Sequence, residues 1–108
     1  MLKTGDHSDI EILITEELER ANKIHKEFGS THEAYAVIKE ELEEAKDDIK
    51  SASKELKAMW LAIKDDDHEL ADECIDELQG FAVYAIEELI QVAAMCEKAK
   101  ALRGKDGK

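Results

Sequence analysis

Residues 31–71 read THEAYAVIKEELEEAKDDIKSASKELKAMWLAIKDDDHELA, and the placement of apolar side chains in this stretch decides the fold. Tyr35, Ile38, Leu42, Ala45, Ile49, Ala52, Leu56, Met59 and Ile63 recur at alternating spacings of three and four residues, the period of a coiled-coil seam. A helix over about 31–64 would be about 50 Å long. The same period resumes in Ala71, Cys74, Leu78, Phe81, Ala85, Glu88, Val92, Met95, Ala99 and Leu102, with Glu88 its one polar member. Lys64 to Asp67 leaves room only for a tight turn, so the two helices are expected to form an antiparallel hairpin.

Outward from the hairpin, three helix starts are marked. Ser8 precedes Glu11 by three residues, Ser30 precedes Glu33 and Asp66 precedes Glu69, each a capping box or its Asp variant. These give helices over about 8–28, 31–64 and 67–102, with fraying expected at 1–7 and 104–108. The first helix has an apolar stripe of Ile10, Leu13, Ile14, Leu18, Ala21, Ile24 and Phe28, with Glu16–Arg20 and Glu19–Lys23 pairs on its other faces. The expected class is all-α: one domain over 1–108, three helices, a long second–third hairpin. The first helix is too short to cover the hairpin, so a symmetric dimer with a four-helix core is the expected closure.

Composition agrees. The 108 residues contain no proline and only 5 glycines, where average usage gives about five prolines; long helices need little punctuation, whereas β folds need much. Asp plus Glu number 27 against 15 Lys plus Arg, for a net charge of −12. That balance argues against neutralising nucleic-acid phosphates and against a basic membrane-surface helix. No apolar run is long enough for a membrane span and no secretory leader is evident, so cytoplasm is the expected location. Cys74 and Cys96, 22 residues apart on one helix, are about 33 Å apart, beyond disulfide reach; both read as small buried residues.

Most of the acids read as solvated surface; a few do not. Residues 81–96, FAVYAIEELIQVAAMC, are apolar almost all round, with Glu87, Glu88 and Gln91 the strongly polar exceptions. Glu88 sits on the seam itself, where an ionised carboxylate is costly unless paired or bound to a cation. On the second helix, Val37, Glu41, Glu44 and Asp48 form one stripe beside the seam. If the hairpin turns about Asp66, residues whose numbers sum to about 132 lie level. Glu44 then meets Glu88, and Glu41 meets Gln91. Three carboxylates converging without a base repel, and stay ionised only around a divalent cation; otherwise some take up protons. Hard oxygen donors at such spacing suit Mg²⁺ or Mn²⁺. A di-iron centre would need Glu-x-x-His elements, which His7, His25, His32 and His68 do not supply.

Here a family resemblance enters. Glu40-Glu41-Leu42-Glu43-Glu44 followed by Glu88-Leu89-Ile90-Gln91 resembles the E-E-x-x-E … E-x-x-D signature of the MazG-like all-α nucleoside triphosphate pyrophosphohydrolases. His32–Ala45 and Glu87–Ala99 look like the corresponding segments of small phage- and prophage-type members. The resemblance implies a helical dimer or dimer of dimers, Mg²⁺ held by the two motifs, and hydrolysis of a nucleoside triphosphate to monophosphate and pyrophosphate. Carried over by position, Glu41, Glu44 and Glu88 become metal ligands and catalytic residues. Gln91 falls where the family has Asp: its amide offers a carbonyl oxygen but removes one negative charge. Asp48 is a candidate extra carboxylate. Lys98, seven residues beyond Gln91, is a candidate phosphate contact, although with Lys100 and Arg103 it also reads as a solvated cationic helix end. Trp60, away from the acids, reads as core or dimer contact. The competing reading is a helical oligomeric interaction module without chemistry, possible for a phage-encoded protein.

Overall fold

Three α-helices, Ser8–Ile24 (α1), Thr31–Lys64 (α2) and His68–Ala99 (α3), carry the chain, followed by a 3-10 turn over Lys100–Leu102. The computed structural model describes residues 8–24 and 27–103, and among them there is no strand. The expected fraying at 1–7 and 104–108 lies outside the described residues. No helix among the described residues is long and apolar enough to cross a membrane.

The helix ends follow from local chemistry. α1 stops at Ile24 rather than running to 28, and residues 27–30 form a bend. The bend frees Ser30 to cap α2: Ser30 Oγ accepts from the Glu33 N–H at 3.2 Å. The Glu33 carboxylate reaches back to the Gly29 N–H at 2.5 Å, so two otherwise orphaned donors are satisfied. At the other end of α2 the cap moves one residue from the expected position. Asp67, not Asp66, accepts from the Leu70 N–H at 3.0 Å. Asp66 takes a left-handed conformation, with φ 57°. The Asp67 N–H donates to the Ala62 carbonyl and the Asp66 N–H to the Ile63 carbonyl, the paired bonds of a Schellman motif with Asp66 where glycine is usual.

The chain divides into two compact units, Met1–Leu42 with Leu89–Lys108, and Glu43–Glu88. The first has a mixed core of Phe28, Ala34, Ala94, Met95 and Leu102, against which Ile14, Leu18, Ala21, Val37, Ile38 and Ala99 pack. Burying a side chain such as Phe28 contributes about 2–3 kcal/mol. Leu13 and Ile24, counted in the α1 stripe, stay exposed.

The second unit is the hairpin end, where α2 and α3 pack closely. Its buried hydrophobics are Ala45, Ala62, Ala71, Cys74 and Ala85. On α3 and the 3-10 turn after it, the expected seam is followed from Ala71 to Leu102, with every member buried or half-buried. On α2 it is not. Ala45 is buried and Ile38, Ala52 and Met59 are half-buried, but Tyr35, Leu42, Ile49, Leu56 and Ile63 are exposed. The buried arc is turned toward Ala34, Glu41, Asp48, Glu55 and Ala62. Small side chains let two helix backbones approach closely, so the hairpin closes on alanines and leaves its large α2 residues at the edge. Trp60 is also exposed, with Lys64 Nζ 5.6 Å from its ring centroid.

Candidate metal centre

Glu44 and Glu88 both belong to the Glu43–Glu88 unit, where the α2–α3 pairing brings them level. Glu41 lies one helical turn before Glu44 on α2. One carboxylate oxygen from each of Glu41, Glu44 and Glu88 lies within 4.8 Å of the others. Glu41 and Glu88 are half-buried and Glu44 is exposed. Asp48, one turn further on, is half-buried and outside this set. His32 and His68 are both exposed and take no part in it; His7 and His25 lie outside the described residues.

The chemistry of this set can be tested against a cation. Glu41 Oε2 is withdrawn from water and has no hydrogen-bond partner. An ionised oxygen in that state is unfavourable without a positive neighbour. The donors are all hard carboxylate oxygens, the type that Mg²⁺ and Mn²⁺ take. The exposure of Glu44 leaves a side open to water, which Mg²⁺ retains in its shell. The residues therefore fit a divalent cation and not a thiolate- or imidazole-seeking one.

Glu41 also lines a cleft of about 270 Å³ in the Met1–Leu42 and Leu89–Lys108 unit. Ala21, Ile24, Phe28, Val37 and Met95 give it apolar walls; Glu17, Arg20, Glu27, Glu33, Gln91 and Lys98 add polar groups. Gln91 thus reaches the same cleft as Glu41. Arg20 pairs with Glu17 rather than with the expected Glu16: its Nε donates to Glu17 Oε1 at 3.2 Å and a second guanidinium nitrogen binds the other oxygen. The Glu17 hydrogen bond, and then its charge, raise the Arg20 pKa further.

Lys98 departs from the solvated helix end. It is only 8% exposed, and its Nζ lies 4.8 Å from the Phe28 ring centroid, a cation–π contact. Lys100 and Arg103 stay exposed, and Lys100 pairs with Glu97 at 3.4 Å. The α1 contribution, Glu17 and Arg20, was not marked by any motif. Their sequence signals are the i,i+4 spacing that marks Arg20 for an acid partner and the place of Glu17 one turn before Ala21 of the apolar stripe.

The cysteines divide. Cys74 is buried and Cys96 exposed, both as free thiols, so Cys96 is not the buried residue expected. Burial pushes the Cys74 thiol pKa up, and Glu55, Glu73 and Glu77 push it the same way. In comparisons with known proteins, the chain matches no family model, no curated protein and no solved structure.

Proposed function

We propose that the chain is a Mg²⁺- or Mn²⁺-dependent nucleoside triphosphate pyrophosphohydrolase, or a relative that keeps the metal site. The observation that carries this reading is the convergence of Glu41, Glu44 and Glu88, with one buried Glu41 oxygen lacking a hydrogen-bond partner. The motif spacing that resembles the MazG-like enzymes supports the same choice.

In this reading Glu41, Glu44 and Glu88 hold the cation. A bound divalent ion would neutralise phosphate charge and lower the pKa of an attacking water. The chain's own residues position the reaction. The carboxylates orient water toward the α-phosphorus, from which pyrophosphate leaves, and Lys98 offers a fixed positive charge within the neighbouring cleft. Gln91 contributes a carbonyl but no charge, so cation affinity is weaker than with Asp, and Gln91→Asp strengthens it.

The test is incubation with a panel of canonical and modified nucleoside triphosphates and Mg²⁺ or Mn²⁺, with pyrophosphate as the readout, alongside melting temperature with and without the ion. Pyrophosphate release that is lost in Glu88→Ala supports the enzyme. No pyrophosphate from any substrate, with no ion-dependent shift in Tm, overturns it and leaves the interaction module as the function.

A further inference from the structure

The cleft of about 270 Å³ beside Glu41 lies wholly within the Met1–Leu42 and Leu89–Lys108 unit. Its volume is just below the usual range of drug-sized pockets, about 300–1,000 Å³, so it suits a molecule of one or two rings. Ile24 lines it and is 74% exposed, beside half-buried Val37 and buried Met95. An apolar ligand surface laid on that wall removes it from water.

The charged groups around the cleft are engaged within the chain. Arg20 pairs with Glu17, the Glu33 carboxylate accepts from the Gly29 N–H, and Lys98 Nζ stands over the Phe28 ring. Glu27 also has a partner. Gln91 is different. It lines the cleft and is half-buried, and its amide makes no hydrogen bond among the described residues. Gln91, Met95 and Lys98 follow one another on one face of α3, at spacings of four and three.

The amide at 91 can do what a carboxylate there cannot. Aspartate only accepts, whereas glutamine has an acceptor oxygen and two N–H donors. With the oxygen given to the cation, the nitrogen is left for the occupant of the cleft. A neutral donor among aliphatic walls suits a flat ring that carries a ring-nitrogen or carbonyl acceptor. It suits neither an ammonium, which brings only donors, nor a hydrocarbon ring, which leaves the N–H unpaired.

We propose that Gln91 reads the heterocycle of the nucleotide: its amide N–H donates to a ring-nitrogen or carbonyl acceptor of a base seated against Ile24, Val37 and Met95. Gln91 in this role presupposes the nucleotide reading above and names the residue that selects the base. It selects for an acceptor edge and not for one base, because the amide can turn its donor to either kind of acceptor. The exchange of Asp for Gln then trades cation affinity for a contact to the base.

The experiment uses the full ¹⁵N-labelled chain with ¹³C-labelled methionine methyls, in Mg²⁺. The chain has three side-chain primary amides, Asn22, Gln79 and Gln91, and three methionines, so Gln91→Glu and Met95→Leu assign the two probes in NMR spectra. Uridine, cytidine and adenosine are titrated in, with a phenyl C-nucleoside, whose ring has no acceptor, as the control. At least one nucleoside is expected to move the Gln91 N–H₂ pair and the Met95 methyl together, and the phenyl analogue to leave the Gln91 pair in place. Gln91→Asp is expected to weaken nucleoside binding about tenfold and to tighten Mg²⁺ binding, opposite changes that a merely structural role would not give. If Gln91→Asp does not stay helical by circular dichroism, the wild-type titrations decide. Nucleosides that move neither probe, or Met95 without Gln91, overturn the proposal, as do a phenyl analogue that moves Gln91 equally and a helical Gln91→Asp that binds nucleoside as well as wild type. Pyrophosphate release with an unmoved Gln91 amide overturns this inference alone. A moved amide without pyrophosphate release overturns the enzyme and keeps the base site.

Discussion

Half-buried Glu41 and buried Cys74 show two ways an ionisable group is held. Glu41 Oε2 has no hydrogen-bond partner, and one oxygen of the Glu41 carboxylate lies within 4.8 Å of one each from Glu44 and Glu88. In ion-free buffer Glu41→Gln is expected to stabilise the fold by about 1 kcal/mol, because one repelling charge is removed. In Mn²⁺ the same variant is expected to lose most of the ion-dependent rise in Tm; a full rise would show that the ion binds elsewhere. Burial favours the neutral thiol of Cys74. Its raised pKa means the folded chain holds the proton more tightly than the unfolded one, whose thiol titrates near pH ~8.5. The stabilisation is complete below that pH and is lost as pH rises from there through the folded value. Cys74→Ala should flatten this alkaline part of the stability profile. An aromatic disulfide reagent should modify Cys96 at once and Cys74 only on unfolding.

At the scale of elements, the turn between α2 and α3 has a removable cost. Asp66 occupies a left-handed position at φ 57°, which costs a non-glycine residue about 1 kcal/mol. Asp66→Gly should raise the unfolding free energy by about that amount in denaturant titration, since the Schellman bonds from Asp66 and Asp67 are backbone bonds and survive. Ser30→Ala should do the reverse and lower it by about 1 kcal/mol by removing the cap on Glu33 N–H. The helix starts were legible because serine and aspartate caps act within a few residues, whereas the expected run of α1 to 28 is not met, since residues 27–30 are not helical. The one-residue shift from Asp66 to Asp67 was not legible, because both positions carry aspartate and only the path of the chain decides which becomes the cap.

At the scale of the whole molecule, 27 acids against 15 lysines and arginines are concentrated unevenly. From His68 to Glu88, α3 carries neither lysine nor arginine, and this stretch lies antiparallel to α2 from Lys46 to Lys64, which carries 5 lysines. If two copies of the chain pair, Tm should rise with protein concentration over about a hundredfold range, because unfolding then also dissociates the dimer. A constant Tm over that range would mean that no such assembly contributes to stability. The apolar period was legible on α3, where Ala71 through Leu102 turn inward together. On α2 the same period included two rows of different fate. The row with Ala45 and Ala52 turns in, and the row with Ile49 and Leu56 stays out. Periodicity locates an apolar arc but does not say which edge of it the neighbouring helix will take.

The sequence by itself determined the helices, the hairpin and the height at which Glu41, Glu44 and Glu88 would lie. Those properties depend on local caps, on 3.6 residues per turn and on a short connection. Tertiary structure alone decided that the hairpin closes on alanines, that Phe28 turns inward after α1 ends, and that Lys98 is buried against its ring rather than solvated. Those outcomes depend on how closely two backbones can approach and on which side chains then compete for the enclosed volume, and neither is encoded in the spacing along one helix.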